Sequence, residues 1–476
     1  MTKGTKTTLL LGAISFALLT TNAHGQSVDS LINKLLQKGV LTEKEAADLK
    51  KEASDTNFVS ASKWKLSDSI KNINLYGDVR FRYEYRSAEN APAYTLAPGN
   101  AYFRERFRYA VRFGIRGDLF DNFYYGLRLE TSANPRSPWV TFGDDSNGTP
   151  SAKNSDGINI GQAFVGWRPA DWFEATVGKM PMPLYVTPMI WDADISPEGA
   201  VEKFKYSVGN VDLFANFGQF MYQDTDPDHD LPSSDTFLLA WQVGANVKFD
   251  KNLSLKVAPV IYNYAGRGAG NGLNITFSGQ GAANGGNIGN TNNGAAFNQK
   301  GINNLLVLEV PAELNLKFSN PVAGVAGARV FGDFGYNLQG SDRARAAARA
   351  AGLSRAYVGE NKAYQLGLGL GNLGLVYGQT SKRNTWEARA YWQHVEQYAA
   401  DVNLLDSDFL EGRGNLEGLY AAFAYSLTDS IIGTIRYGVA QRINPHLGTG
   451  GNNPDLPVLN PIKNYHILQL DLSWRF

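Results

Sequence analysis

Cysteine is absent from the 476 residues. That excludes a disulfide framework, cysteine-ligated metal sites and a lipid anchor on an N-terminal cysteine. Histidine is scarce, with five residues, and none stands in a metal-ligand spacing. No charge of one sign prevails: 45 Lys and Arg balance 45 Asp and Glu, so nucleic acid gains no electrostatic support as a partner. Beyond residue 25 no apolar run is long enough for a transmembrane helix, and beyond residue 72 no linker divides the chain.

What is abundant is aromatic residues and glycine: 25 Phe, 23 Tyr, 9 Trp and 50 Gly. They sit in short alternating stretches, of which "AYFRERFRYAVRFGIRGDLF" at 101–120 is the sharpest. Its odd positions are mostly apolar (Phe103, Phe107, Tyr109, Val111, Phe113, Ile115), whereas Arg104, Arg106, Arg108, Arg112 and Arg116 occupy even ones. Period two means an extended strand with two faces and same-face neighbours about 7 Å apart. In a dry core two guanidiniums at that spacing would repel by an upper bound of roughly 12 kcal/mol, against roughly 0.6 kcal/mol in water. The arginine face requires water or acidic partners.

The scheme recurs. "INLYGDVRFRYEYR" from Ile73 places Arg80 and Arg82 opposite Val79, Phe81 and Tyr83, and "NFYYGLRLETS" places Arg128 and Glu130 opposite Leu127 and Leu129. Throughout, the polar face reads as too charged for a packed core. Connections alternate in length: seven short turns, such as "FDN" at 120–122 and "FDKN" at 249–252, separate eight long segments, such as 133–157, 181–199 and 265–303. Seven turns and eight loops give sixteen strands. Sorted loops with an even strand count predict a transmembrane antiparallel β-barrel. A lipid-facing arginine at mid-bilayer costs about 2–4 kcal/mol, so the arginines belong to a watery lumen, which a barrel of this size encloses.

The flanks complete the layout. Residues 1–25 carry Lys3 and Lys6, an apolar run from Leu9 to Leu19 and a small-x-small ending at Ala23 and Gly25, the pattern of a secretory signal peptide. Residues 26–71 read as a periplasmic helical hairpin and linker, with Thr42 and Glu45 forming a capping box. The barrel spans 72–476. It ends on "YHILQLDLSWRF", where Trp474 and Phe476 close an apolar face, resembling the terminal assembly signal of bacterial outer-membrane proteins that the barrel-assembly machinery reads.

The stretch "VGKMPMPLYVTPMIWDADISPEGAVEKF" at 177–204 resembles the bacterial putative porin family. So do "LINKLLQKGVLTEKEAADLKKEA", "VGWRPADWFEATVGKMP" and "DSDFLEGRGNLEGLYAAFAYSLTDS", so that nearly all of the chain after residue 25 is covered. The resemblance implies a diffusion channel in the bacterial outer membrane, with outer-membrane lipid and small hydrophilic solutes as partners. It leaves a homotrimer open as the assembly and implies no cofactor. The third long loop would then fold into the channel and bring Asp192, Asp194 and Glu198 toward its centre, stiffened by prolines at 181, 183, 188 and 197.

Counting heights along the strands brings Arg80, Arg82, Arg108, Arg112 and Arg128 together as a basic wall across from that loop, with Arg104, Arg106 and Arg116 above and below. A modest anion preference is expected, reduced by Asp78, Glu84 and Glu130. Neither a catalytic group nor a metal site is assigned. His394 has Trp392 and Glu396 beside it rather than a serine, and the alternating aspartates of 223–235 depart from a calcium loop at His229 and Asp235. The alternative function is a surface barrel acting through its loops as adhesin, receptor or enzyme.

Overall fold

The computed structural model describes residues 36–38, 42–46, 67–90, 101–132, 137–143, 156–224, 235–266, 304–350, 354–372, 382–449 and 461–476. The segment read as a signal peptide, the tip of the acidic loop (225–234) and the glycine-rich stretch 267–303 lie outside the described residues. The chain forms two units, Met1–Asp68 and Ser69–Phe476. In the first, the expected capping box is present: Glu45 N donates to Thr42 Oγ1 at 3.3 Å and Thr42 N donates to Glu45 Oε2 at 2.8 Å.

The second unit is a closed antiparallel barrel of sixteen strands. In chain order these are β1 Asn74–Asn90, β2 Ala101–Asp118, β3 Phe123–Ser132, β4 Gly157–Ala170, β5 Phe173–Lys179, β6 Glu198–Val208, β7 Val211–Gln223 and β8 Thr236–Lys248. There follow β9 (Leu253–Val257 continued by Val260–Ala265) and β10 (Leu306–Glu309 continued by Ala312–Val322). The remainder are β11 Val325–Asn337, β12 Lys362–Gly371, β13 Trp386–Val395, β14 Leu416–Ser426, β15 Ile431–Arg442 and β16 Ile462–Arg475. Strands β9 and β10 break at Pro259 and Pro311, where the ring removes a ladder donor. Each strand pairs with its sequence neighbours, and β1 pairs with β16 to close the seam.

Short turns gather at one end and long loops at the other, as the loop pattern predicts. Residues that accept positive φ make the turns tight: Asp121 and Asn122 after β2, and Ala323 with Gly324 (φ 50 and 79) after β10. Part of the glycine content is explained inside the wall. A Cβ on Gly166 would lie 2.0 Å from the Tyr124 ring, and one on Gly244 would lie 2.1 Å from the Phe214 ring, so these inward aromatics lie flat over glycines of the next strand.

The outward face is apolar and exposed, with Phe107, Val177, Leu366 and Ile435 among its residues. The inward face differs from expectation in one respect. In the loop-side half of β7 to β16 many inward residues are apolar and buried, including Phe220, Leu238, Val260, Tyr262, Val307, Phe331, Tyr391, Tyr420 and Ile467. Two loops supply what covers them: Met189, Ile190 and Trp191 from residues 180–197, and Leu404, Leu405 and Phe409 from residues 396–415. The alternating pattern conceals this core because both faces of strands such as "TFLLAWQV" are apolar.

Candidate functional site

The arginine ladder faces inward from β1, β2 and β3. Glu84 is its hub. It accepts from Arg106 Nε at 2.6 Å and Arg86 at 3.2 Å, and lies 3.6 Å from Arg108 and 3.8 Å from Arg82. Arg82 also makes a two-pronged contact with Asp471 of β16 (2.8 and 3.0 Å) across the seam. Lower on the wall Asp78 pairs with Arg80 at 2.9 Å and with Arg112 at 2.8 Å, and Arg128 pairs with Glu130 at 2.9 Å. Arg116 lies over the Tyr76 ring at 5.0 Å, and Arg104 is half-buried at an inward position. Segment 137–143 adds Trp139, whose ring receives the guanidiniums of Arg82 at 4.0 Å and Arg80 at 4.7 Å. The charges escape the repulsion argued above mainly by acidic partnership rather than by water.

Loop 180–197 enters the lumen and is fastened to the opposite wall. Buried Gln242 of β8 acts as a strand partner for Tyr185, accepting from its N–H at 2.8 Å and donating to its carbonyl at 2.7 Å. Thr187 Oγ1 donates to Asp333, and Tyr262 Oη donates to Glu309 at 2.6 Å. Of the three expected loop acids, Asp194 comes near enough to interact electrostatically with both Arg80 and Arg112. Asp192 is buried and turned to loop 396–415: Ser407 donates to it through N (3.1 Å) and Oγ (2.9 Å), and Asp192 N donates to Leu404 O at 2.6 Å. Glu198 is the first residue of β6 and pairs with Lys179 at 2.9 Å.

Loop 396–415 is the part that sequence reasoning missed. Its Asp408 accepts from Arg82 at 2.8 Å, so the ladder is neutralised from inside the lumen as well as along the wall. Asp401 takes the hydroxyls of Tyr222 and of Tyr264, the latter at 2.7 Å. Burial opposes ionisation of Asp408, but Arg82 and Arg436 outweigh it and hold its carboxyl below the usual range. Nearby Asp406 is pushed well above that range by burial, then by Asp192 and Asp408. Asp192 is raised to about 7 by burial and then by Asp194. The sequence signal for these residues is the "DSDF" of 406–409, a short motif that by itself is weak.

A roof lies over this side of the mouth. Helix α1, Gly340–Ala350, packs Ala344 and Ala347 against Tyr398 and Leu447. Asn415 Nδ2 donates to the carbonyls of Asn444, Leu447 and Gly448 (2.9–3.1 Å), and Asn444 Nδ2 donates to Glu360 at 2.7 Å. Open recesses of about 710 Å³ on the loop side and about 600 and 430 Å³ on the turn side flank loop 180–197. His394 faces outward, 2.9 Å from Glu417 and stacked on Tyr364. Among the described residues no group of three or more His, Cys, Asp or Glu is arranged to hold a metal ion.

A closed barrel with an apolar exterior, a charged interior and an infolded loop defines a membrane channel of the porin type. The sequence profile of the putative porin family matches residues 48–327 and 307–476. The chain belongs to that family. None of the curated proteins matches it. Among solved structures, a triple mutant of the Rhodopseudomonas blastica porin aligns at 12% identity and TM-score 0.39, covering 85% of this chain and 100% of that one. A second triple mutant of the same porin aligns at 12% identity and TM-score 0.37, with the same coverage. Family and fold support a bacterial outer-membrane location and a channel rather than an enzyme.

Proposed function

We propose that the protein is a passive channel for small hydrophilic solutes in the bacterial outer membrane, non-catalytic and modestly anion-preferring. The observation that carries this is that Asp194 on the infolded loop lies near enough to act electrostatically on Arg80 and Arg112 of the wall. Opposed charges across a narrow aqueous gap set up a transverse field that favours polar solutes over apolar ones. Arg80 and Arg112 share one wall acid, Asp78, which leaves the wall one cation in excess opposite Asp194, and Asp192 is turned away toward Ser407. Salt screens the preference, with a Debye length of about 10 Å at 0.1 M. The test is a salt-gradient reversal potential for the wild type and for Arg108→Glu with Arg112→Glu. Anion selectivity that shifts toward cations in the variant is expected. A cation-selective wild type, or an unmoved potential, would overturn the reading.

A homotrimer is supported by one feature of the outer surface. Inward Thr176 and Val201 are paired, so Glu202, next in β6, faces outward, where it accepts from Gln219 at 3.0 Å. The neighbouring β5 has only seven residues, short of the 9–11 a strand needs to span the bilayer. Another protomer would cover this low, polar wall better than lipid. Unboiled protein is expected to run at three times the monomer mass on native electrophoresis and Glu202→Arg at the monomer mass.

A further inference from the structure

We infer that the turn-side recess beneath loop 180–197 is a binding site for small hydroxylated carboxylates such as sugar acids. This rests on the channel reading above and names a solute class for it. The recess, about 600 Å³, is formed by inward residues of β6 to β10 together with Pro183, Leu184 and Tyr185 of the loop.

Its charges are less evenly balanced than those of the arginine ladder. Arginines 80, 82, 86, 106, 112, 128, 329 and 436 all have carboxylate partners. Lys203, at the edge of the recess, is taken by Glu174 at 3.4 Å. Lys205 and Lys256 differ: among the described residues neither has a carboxylate within ion-pair distance. The two acids of the recess are committed elsewhere. Asp212 holds Lys248 at 2.6 Å and Ser207 at 2.8 Å. Glu313 holds Arg329 and accepts from Tyr185 Oη at 2.6 Å. Two ammonium groups therefore face one small volume of water, and the nearest acid, Glu313 across from Lys256, is shared with Arg329.

The ammonium of Lys256 sits 3.6 Å from the centre of the Tyr185 ring and 5.4 Å from that of Phe214, which fixes it without neutralising it. Around the lysines are amides that each commit one of their two N–H donors to a recess acid. Asn315 Nδ2 donates to Glu313 at 3.1 Å and Asn246 Nδ2 donates to Asp212 at 3.5 Å. What each amide retains is its carbonyl oxygen and one N–H, which together accept from and donate to hydroxyl groups. Ser254 lines the same recess and can do both. One carboxylate for the lysines and several hydroxyls for the amides describe a polyhydroxylated acid. A neutral sugar would satisfy the amides but leave both ammoniums unpaired.

Two measurements on the full chain separate this site from the channel. Titration calorimetry of the detergent-solubilised protein with gluconate and with glucose tests the recess and requires no current. Gluconate is expected to bind measurably more tightly than glucose, and Lys205→Gln with Lys256→Gln to weaken it about tenfold, the scale of lost hydrogen bonds to a charged group. Lys205→Arg with Lys256→Arg is expected to retain most of the binding. Equal affinity for gluconate and glucose in the wild type, which needs no variant to fold, overturns the site, as does unchanged gluconate affinity in the folded glutamine variant. Potassium chloride conductance in planar bilayers tests the channel: its absence alongside gluconate binding overturns the channel reading and leaves the site standing.

Discussion

Glu84 has the most consequential position of any single residue. It is 1% exposed and within 4 Å of four guanidiniums, those of Arg82, Arg86, Arg106 and Arg108. Buried charges are tolerated only with partners, and removing one partner leaves the others unscreened. Glu84→Gln keeps the shape and one acceptor but removes the hub charge. It is expected to destabilise the barrel by about 3–5 kcal/mol, read as a lower temperature for the loss of the compact form on unboiled gels. Arg128→Gln, whose pair with Glu130 stands apart from the hub, is the control expected to cost far less.

At the scale of elements, the two infolded loops act as a pair joined through Asp192. Its carboxyl is raised to about 7 by burial and by Asp194 and Asp408, against the opposing hydrogen bonds from the backbone of Asp194 and Ser407. The folded protein therefore holds this proton more tightly than the unfolded chain, so the stability of the contact is complete in acid and falls as pH climbs toward 7. Above that pH an ionised Asp192 faces Asp194, Asp406 and Asp408. Single-channel records are expected to become noisier as pH rises from 5 to 8. Asp192→Asn, which keeps an oxygen for Ser407 and cannot ionise, is expected to move the onset out of the neutral range.

The same scale shows what sequence could convey. Strands and their faces were legible because period-two alternation is local, and loop sorting because it needs only spacing. The roof was not legible. Nothing adjacent to Asp408 indicates Arg82, which lies 326 residues away, and nothing in "LLDSDFL" separates an infolded loop from an exposed one. The turned-in Asp192 escaped notice for the same reason, since its partner Ser407 is 215 residues distant. Glu198 was grouped with the loop acids by proximity in sequence, whereas strand pairing gives it to Lys179.

For the molecule as a whole, closure depends on the last residue as well as the last strand. Phe476 N donates to Gly77 O at 3.1 Å and Gly77 N donates to Phe476 O at 3.0 Å, extending the β1–β16 ladder, while the Trp474 ring meets Phe81 edge-on at 6.0 Å. Deleting Phe476 removes both hydrogen bonds, and Phe476→Asp places a charge on the outward face. Both are expected to reduce the folded barrel recovered from membranes, with the deletion restored in part by a terminal Tyr. Undiminished recovery of the compact form in both variants would exclude a role for this residue in assembly.

The long reach of the lumen contacts also imposes an order in time. Arg82 joins Asp471 across the seam at a separation of 389 residues, Asp408 reaches Arg82 over 326 residues, and Asp192 reaches Ser407 over 215. Contacts of such separation carry a large loop-closure cost until the intervening chain is already arranged. The wall must therefore curl shut first, with its arginines still hydrated, and the loops must settle afterwards into a cylinder that already exists. A conductance that starts high on insertion and falls as the loops settle is the expected outcome of such an order.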